Sequence, residues 1–297
     1  MRFSLGLPTH RVDAGDEFVS GTAVAQLAAA AEAAGFPSVF VTDHPAPPRR
    51  WVSGGGHVTT DPLVTLAFAA GATTSLRVQT NLFVPAYRQP LVAAKSVATL
   101  DLLSGGRVIL GVGAGYLEPE FAAVGADFEG RNDVLDHALR TMVAAWTSDD
   151  VDGIATTPRP VQRPHPPIWV GGNSKRAIRR AVELGQGWVP MPSPAAAAKH
   201  LHTPGLESYD DLHDRIGYLR EQCTAAGRTE PVDIAFMPSG LDMFARAAPD
   251  PAKVRDDVAE LAALGVTWAT VTLPGETRAD LLRAIEGFGA DVISALA

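Results

Sequence analysis

Between Arg77 and Tyr116 the apolar positions change rhythm twice. Arg77 to Val84 is rich in β-branched and apolar residues and stops at Pro85, which predicts a strand. From Pro90 the pattern turns helical. Proline suits a first turn, where no amide hydrogen is needed, and Leu91, Ala94, Ala98 and Leu102 fall on one face. Ser104-Gly105-Gly106 ends that helix, since glycine takes the left-handed conformation at little cost. Val108 to Gly113 is then apolar at nearly every position, too continuous for a sheet with one wet face. Such a run suits a parallel strand covered on both sides, so the whole stretch predicts a βαβ unit.

The alternation continues in both directions. Phe3–Leu7 and Ser38–Thr42 predict the first two strands, with a helix over Thr22–Ala34 between them. Asp61-Pro62 reads as a cap followed by a first-turn proline, opening a helix to about Ser75. Beyond Gly113, helices are predicted over Arg131–Trp146, Ser174–Leu184, Tyr209–Ala226, Asp250–Leu264 and Arg278–Phe288. Strands are predicted at Ile168–Gly171, Gly187–Pro190, Val232–Met237 and Val266–Leu273. Thr156–Pro167, with five prolines, predicts an irregular connector, and residues 191–207 a Pro- and Ala-rich mobile stretch. Eight strands alternating with helices predict a (β/α)8 TIM barrel, one domain over residues 1–297. Its extended loops follow strands two and four, at the C-terminal face where barrel chemistry sits. A doubly wound open sheet is the alternative, but no GxGxxG opens the first βα turn.

A chain of 297 residues with 46% apolar content fits one such barrel. The formal net charge of −8 argues against sequence-independent nucleic-acid binding, which needs a basic face. Cys223 is alone, so no intramolecular disulfide forms. The start, MRFSLGLPTH, has no signal-peptide-length apolar run, and no segment reaches the ~20 apolar residues of a membrane span. A cytoplasmic protein with a small-molecule substrate and no membrane partner is expected.

Several positions carry candidate chemistry. Gly171-Gly172-Asn173-Ser174 joins a strand to a helix whose first turn holds Lys175 and Arg176. Glycines admit close approach and free amides at a helix start favour anions, so this is either a phosphate site or a plain tight turn. Asp43-His44 lies at the mouth of the second strand, where a histidine can exchange a proton near neutral pH or can simply pack under the Pro45 loop. Trp51, on the long loop after that strand, either lines a pocket or anchors its own loop. His200 and His202 are the one close histidine pair, with no carboxylate or cysteine nearby in sequence, and no metal site is expected. Arg179-Arg180 reads as a solvated helix face or as cations for an acidic cofactor tail.

An apolar strand, Tyr87-Arg88-Gln89-Pro90, the helix ending in LSGGR, VILGVGAGY and then Glu120-Phe121 together resemble the luciferase-like monooxygenase superfamily. S-x-x-V-x-D-H, ending at His44, resembles its branch of oxidoreductases that depend on the deazaflavin coenzyme F420. The resemblance implies a TIM barrel that moves a hydride between coenzyme F420 and a small organic substrate. It leaves two alternatives, an FMN-dependent monooxygenase served by a separate reductase and a non-catalytic flavin-binding barrel. It also implies that His44 faces the reactive ring and that Asp43, Gly113, Ala114 and Gly115 contact the cofactor. The cofactor phosphate would lie on Gly171, Gly172, Asn173 and Ser174. Thr80, Asn81 and Leu82 would form a bulge behind the ring, with a non-proline cis peptide between Asn81 and Leu82. Trp51 and Tyr116 would border the substrate. Tyr116 stands where a sugar-phosphate-oxidising relative has a glutamate general acid, so that substrate is not expected here. A homodimer is implied as well.

Overall fold

The computed structural model describes residues 1–239, 241 and 247–296. Eight parallel strands close into a barrel: β1 (Arg2–Gly6), β2 (Ser38–Val41), β3 (Arg77–Phe83), β4 (Val108–Val112), β5 (Ile168–Gly171), β6 (Gly187–Val189), β7 (Asp233–Phe236) and β8 (Trp268–Val271). Each strand pairs with its neighbours in sequence, and β8 closes on β1 with Arg2 opposite Trp268. The helices that follow the strands are α1 (Gly21–Ala33), α2 (Pro62–Gly71), α3 (Pro90–Ser104), α4 (Arg131–Thr147), α5 (Lys175–Leu184), α6 (Tyr209–Ala225), α7 (Pro251–Leu264) and α8 (Arg278–Phe288). The expected (β/α)8 barrel is therefore the observed fold.

The continuous apolar runs have the expected cause. Every residue of β2, β4, β5, β6 and β8 is buried, because helices cover one face of the sheet and the barrel interior fills the other. The larger core lies between strands and helices. A smaller one inside the barrel is built from Ile109, Trp169, Val189, Ala235 and Trp268, with the Trp169 and Trp268 rings edge to face at 5.1 Å.

Helix starts are marked as the sequence indicated. Asp61 accepts hydrogen bonds from the amides of Leu63 and Val64, with Pro62 in the first turn. Gly105 ends α3 in the left-handed conformation at φ 70°.

Three features go beyond the sequence reading. An antiparallel hairpin, Asp150–Val151 with Ile154–Ala155, precedes the proline-rich connector. That connector contains cis bonds at Thr157-Pro158 and Arg163-Pro164. Residues 191–207, expected to be mobile, fold into short helical pieces closed by a bridge between Ser193 and Leu206. Among the described residues, no helix is long and apolar enough to cross a membrane.

Candidate active site

The wall of the barrel mouth is built where β3 loses register with β4, between Thr80 and Phe83. Thr80 donates its hydroxyl to the carbonyl of Gly111 at 2.7 Å, and the Asn81–Leu82 peptide bond that follows is cis, as the resemblance implied. Leu82 then packs over glycines of two other strands. A Cβ at Gly111, Gly113 or Gly171 would lie 3.2, 3.1 or 2.0 Å from its methyl carbons. Gly171 has to be glycine to leave room for this side chain, and Gly111 is closed to a Cβ by the Thr80 carbonyl oxygen at 2.1 Å.

His44 follows the end of β2, and its Nδ1 lies 3.0 Å from Oε2 of Glu120. Glu120 is fully buried and accepts two further hydrogen bonds, from the amide of Ala46 at 3.0 Å and from the Tyr87 hydroxyl at 3.1 Å. Burial, reinforced by Glu120, pushes the Tyr87 hydroxyl upward, so it keeps its proton and acts as a donor. Local packing holds Glu120 in place. Its helix, Glu118–Ala123, carries Phe121, whose ring lies edge-on to Tyr87 at 4.7 Å and to Phe128 at 5.2 Å. Gly115, at φ 78°, lets the chain pass directly over that ring, since a Cβ there would come within 2.6 Å of it.

Asp43, which the resemblance placed at the cofactor, is held by protein groups on two sides. Its carboxylate is gripped by Arg88 at 2.7 and 2.9 Å and accepts the amide of Val84 at 3.0 Å. With a side chain 1% exposed, it ties the end of β2 to the end of β3.

Around His44 the mouth is aromatic. The Trp51 ring lies 4.9 Å away, His57 4.8 Å and Tyr116 6.0 Å, and Trp51 and Tyr116 face each other at 6.4 Å. Trp51 sits on a short helix, Arg49–Ser53, and the loop folds back so closely that a Cβ at Gly56 would be 2.3 Å from the indole. His57 accepts or donates a hydrogen bond with the Thr42 hydroxyl at 3.1 Å and meets the ring of His10 at 6.3 Å. Burial, then the neighbouring His44 and His10, lower its pKa to about 4. Tyr116 is pushed up to about 12 by burial and then by Glu120. Both are uncharged at neutral pH. A recess of about 390 Å³ opens beside them, lined by Pro48, Arg50, Trp51, Gly54, Leu117 and Pro119.

On the far side of the mouth, Ser174 caps α5 by accepting the amide of Ala177 at 3.1 Å. The amides of Ser174, Lys175 and Arg176 meet no acceptor among the described residues, and Gly172 turns the chain at φ 113°. Three convergent N–H groups at a helix start fit an anionic phosphate.

The cations are committed elsewhere. Arg176 pairs with Asp133 and, at 2.8 Å, with Asp136, while Arg180 is buried against Asp136. Lys175 lies 5.0 Å over the Tyr218 ring, and Arg179 donates to the Tyr218 hydroxyl. Asn173, named with the phosphate residues, is a buried latch. Its amide nitrogen donates to the carbonyls of Met191 and Pro204, and its oxygen accepts the amide of Met191. Its backbone amide is bound by Thr203. Any anion here would therefore rest on backbone and not on side-chain charge. His202, expected to bind no metal, lies edge-on to Phe128 at 5.1 Å.

The structure thus gathers His44, Trp51, Tyr116, Asn81 and Leu82 around one mouth, with Gly171, Gly172 and Ser174 at its rim. Sequence reasoning missed Glu120, Tyr87, His57 and His10 as site residues. Two of them left a trace, Glu120 in the Glu120-Phe121 pair and Tyr87 in the Tyr87-Arg88-Gln89-Pro90 run.

Comparison with known proteins agrees with this architecture. The profile of luciferase-like monooxygenases matches residues 1–267. An uncharacterised protein of Mycobacterium tuberculosis is 29% identical, covering 92% of this chain and 95% of its own. An F420-dependent glucose-6-phosphate dehydrogenase of Amycolatopsis mediterranei is 37% identical over 43% of this chain and 38% of its own. The crystal structure of monooxygenase RslO1 from Streptomyces bottropensis superposes with a TM-score of 0.79 at 19% identity, covering all of both chains. This chain belongs to the family of luciferase-like monooxygenases.

Proposed function

We propose that this protein is an oxidoreductase that moves a hydride between coenzyme F420 and a small organic substrate, with His44 handling the accompanying proton. The observation that carries this reading is the His44–Glu120 pair, a histidine held by one nitrogen at a barrel mouth with a buried carboxylate behind it. A hydride transfer to or from a carbonyl carbon needs a matching proton at oxygen, and a positioned imidazole is suited to supply or take it. The similarity to an F420-dependent dehydrogenase supports the deazaflavin as cofactor. When bound, that cofactor supplies the hydride donor or acceptor.

The chain's own residues would do the rest. The amides of Ser174 to Arg176 would hold the cofactor phosphate, and Asn81 and Leu82 would back its ring. Trp51 and Tyr116 would border the substrate and exclude water. With Tyr116 and His57 both uncharged, this border suits an apolar or aromatic-bearing substrate better than a phosphorylated one.

An FMN-dependent monooxygenase is the second reading, in line with the family's profile of luciferase-like monooxygenases. Titration with coenzyme F420 and with FMN under the same conditions separates the two. Tighter binding of F420 is expected. Tighter binding of FMN, with oxygen consumed when reduced FMN is supplied, would establish the second reading.

We also propose a homodimer through α2 and α3. Val64 and Phe68, one turn apart on α2, are 61% and 55% exposed, and Val92 and Leu103 on α3 are 63% and 74% exposed. Positions 92 and 103 are three helical turns apart and share a stripe, which makes an apolar surface of the kind that a partner covers.

A further inference from the structure

We infer that Glu120 is the positioning residue that fixes His44 in its Nδ1–H tautomer, leaving Nε2 as the atom that takes the substrate's proton. The inference rests on the reading of His44 as the proton-handling group and goes one step deeper into it.

A neutral imidazole carries one proton, and the partner of each nitrogen decides where that proton sits. Glu120 accepts at both carboxylate oxygens, from the Ala46 amide at Oε1 and from the Tyr87 hydroxyl at Oε2, and Tyr87 keeps its proton. A carboxylate already receiving two donors has only acceptor capacity to offer the His44 nitrogen 3.0 Å away. With Glu120 as the carboxylate, Nδ1 is the donor. Among the described residues this is the only hydrogen bond of the His44 ring, so Nε2 is the nitrogen that stays available.

In oxidation of an alcohol, for which a bound deazaflavin would supply the hydride acceptor, Nε2 would take the hydroxyl proton. The resulting imidazolium then keeps its Nδ1–H bond to the carboxylate. Reduction of a carbonyl runs the same transfers in reverse.

Glu120 is fully buried, so its effect is on the orientation and protonation of His44. It is held for that purpose by an aromatic wedge, Phe121 between Tyr87 and Phe128, and by Gly115 lying over the Phe121 ring. A carboxylate placed only to stabilise the helix would not need to face three donors from two other segments of chain.

The test is a nitrogen-15 NMR spectrum of the full chain labelled at histidine, recorded at a pH where the ring is neutral. The His44 signals are assigned by their loss in His44→Gln. The expected result is a protonated Nδ1 and a bare Nε2 in the wild type. In Glu120→Gln the amide can face the ring with either its oxygen or its nitrogen, so a mixture of tautomers is expected. Turnover should fall with it, by up to roughly 10²–10⁴-fold, with KM near the wild-type value. Protonated Nε2 in the wild type would overturn the inference. So would an unchanged Nδ1–H tautomer in a folded Glu120→Gln protein. If that variant does not fold, the wild-type spectrum decides alone. The tautomer is read without cofactor or turnover, so its failure is distinct from failure of the proposed function.

Discussion

Asp43 and His44 are neighbours just past the end of β2, yet they meet different partners. Asp43 turns into the protein to meet Arg88, while His44 turns to Glu120 and the aromatic mouth. Substituting His44 with alanine is expected to lower turnover by roughly 10²–10⁴-fold while cofactor affinity changes little. Steady-state kinetics beside a binding titration would check this, and full turnover per folded molecule would remove His44 from the mechanism.

His57 gives a prediction of the opposite kind, about stability. Its pKa falls from 6.5 to about 4 on folding, so between those values the unfolded chain binds the extra proton and the folded chain does not. Stability is therefore lost as pH drops from 6.5 toward 4. Melting temperatures across that range should decline less steeply in His57→Gln than in the wild type. His44 was legible in the sequence as a site candidate, and the surroundings of His57 were not. His44 stood out because it follows a strand and precedes a proline, whereas His57 lies in a loop with no periodicity. Glu120 needed the fold to bring it 76 residues back to His44.

Elements were more legible than residues, because barrel strands are buried on both faces and their apolar runs have no polar interruption. The extents of α3 and α8 match the predicted ones, since each begins and ends on a local signal such as Pro90 or Gly105. The hairpin at Asp150–Ala155 escaped notice because its strands are two residues long and mostly exposed, which leaves no apolar alternation to read. The turn from β5 into α5 was legible from Gly171-Gly172-Asn173-Ser174, and the free amides expected at that helix start are present, while Lys175 and Arg176 are engaged by other side chains. Gly172 is the sensitive point of that turn. A branched residue at φ 113° is strained by about 1–3 kcal/mol, and relief of that strain would move the three amides. Gly172→Val is expected to weaken binding of the phosphate-bearing cofactor tenfold or more, about 1.4 kcal/mol, while circular dichroism still reports a barrel. Unchanged affinity would remove this helix start from the cofactor site.

At the scale of the whole molecule, the barrel followed from the count of alternating strands and helices, but its outer face did not. Exposed apolar residues on α2 and α3 look in sequence like ordinary helix content. Only the fold shows Val64, Phe68, Val92 and Leu103 turned away from the core. Light scattering after size-exclusion chromatography is expected to find a dimer in the wild type and a monomer in Phe68→Asp. A monomeric wild type would leave that face without a partner copy.

Leu82 rests on glycines from β4 and β5, and this ties three stretches of chain together as they change over evolutionary time. A methyl group gained at position 171 would collide with the side chain at position 82, while a smaller side chain at 82 would leave a hollow above the glycines. Neither side of the contact can drift far alone. Related sequences that depart here should do so in compensated pairs, and the order in which the two changes arise should matter: shrinking Leu82 first opens a route that adding bulk at Gly171 first would close.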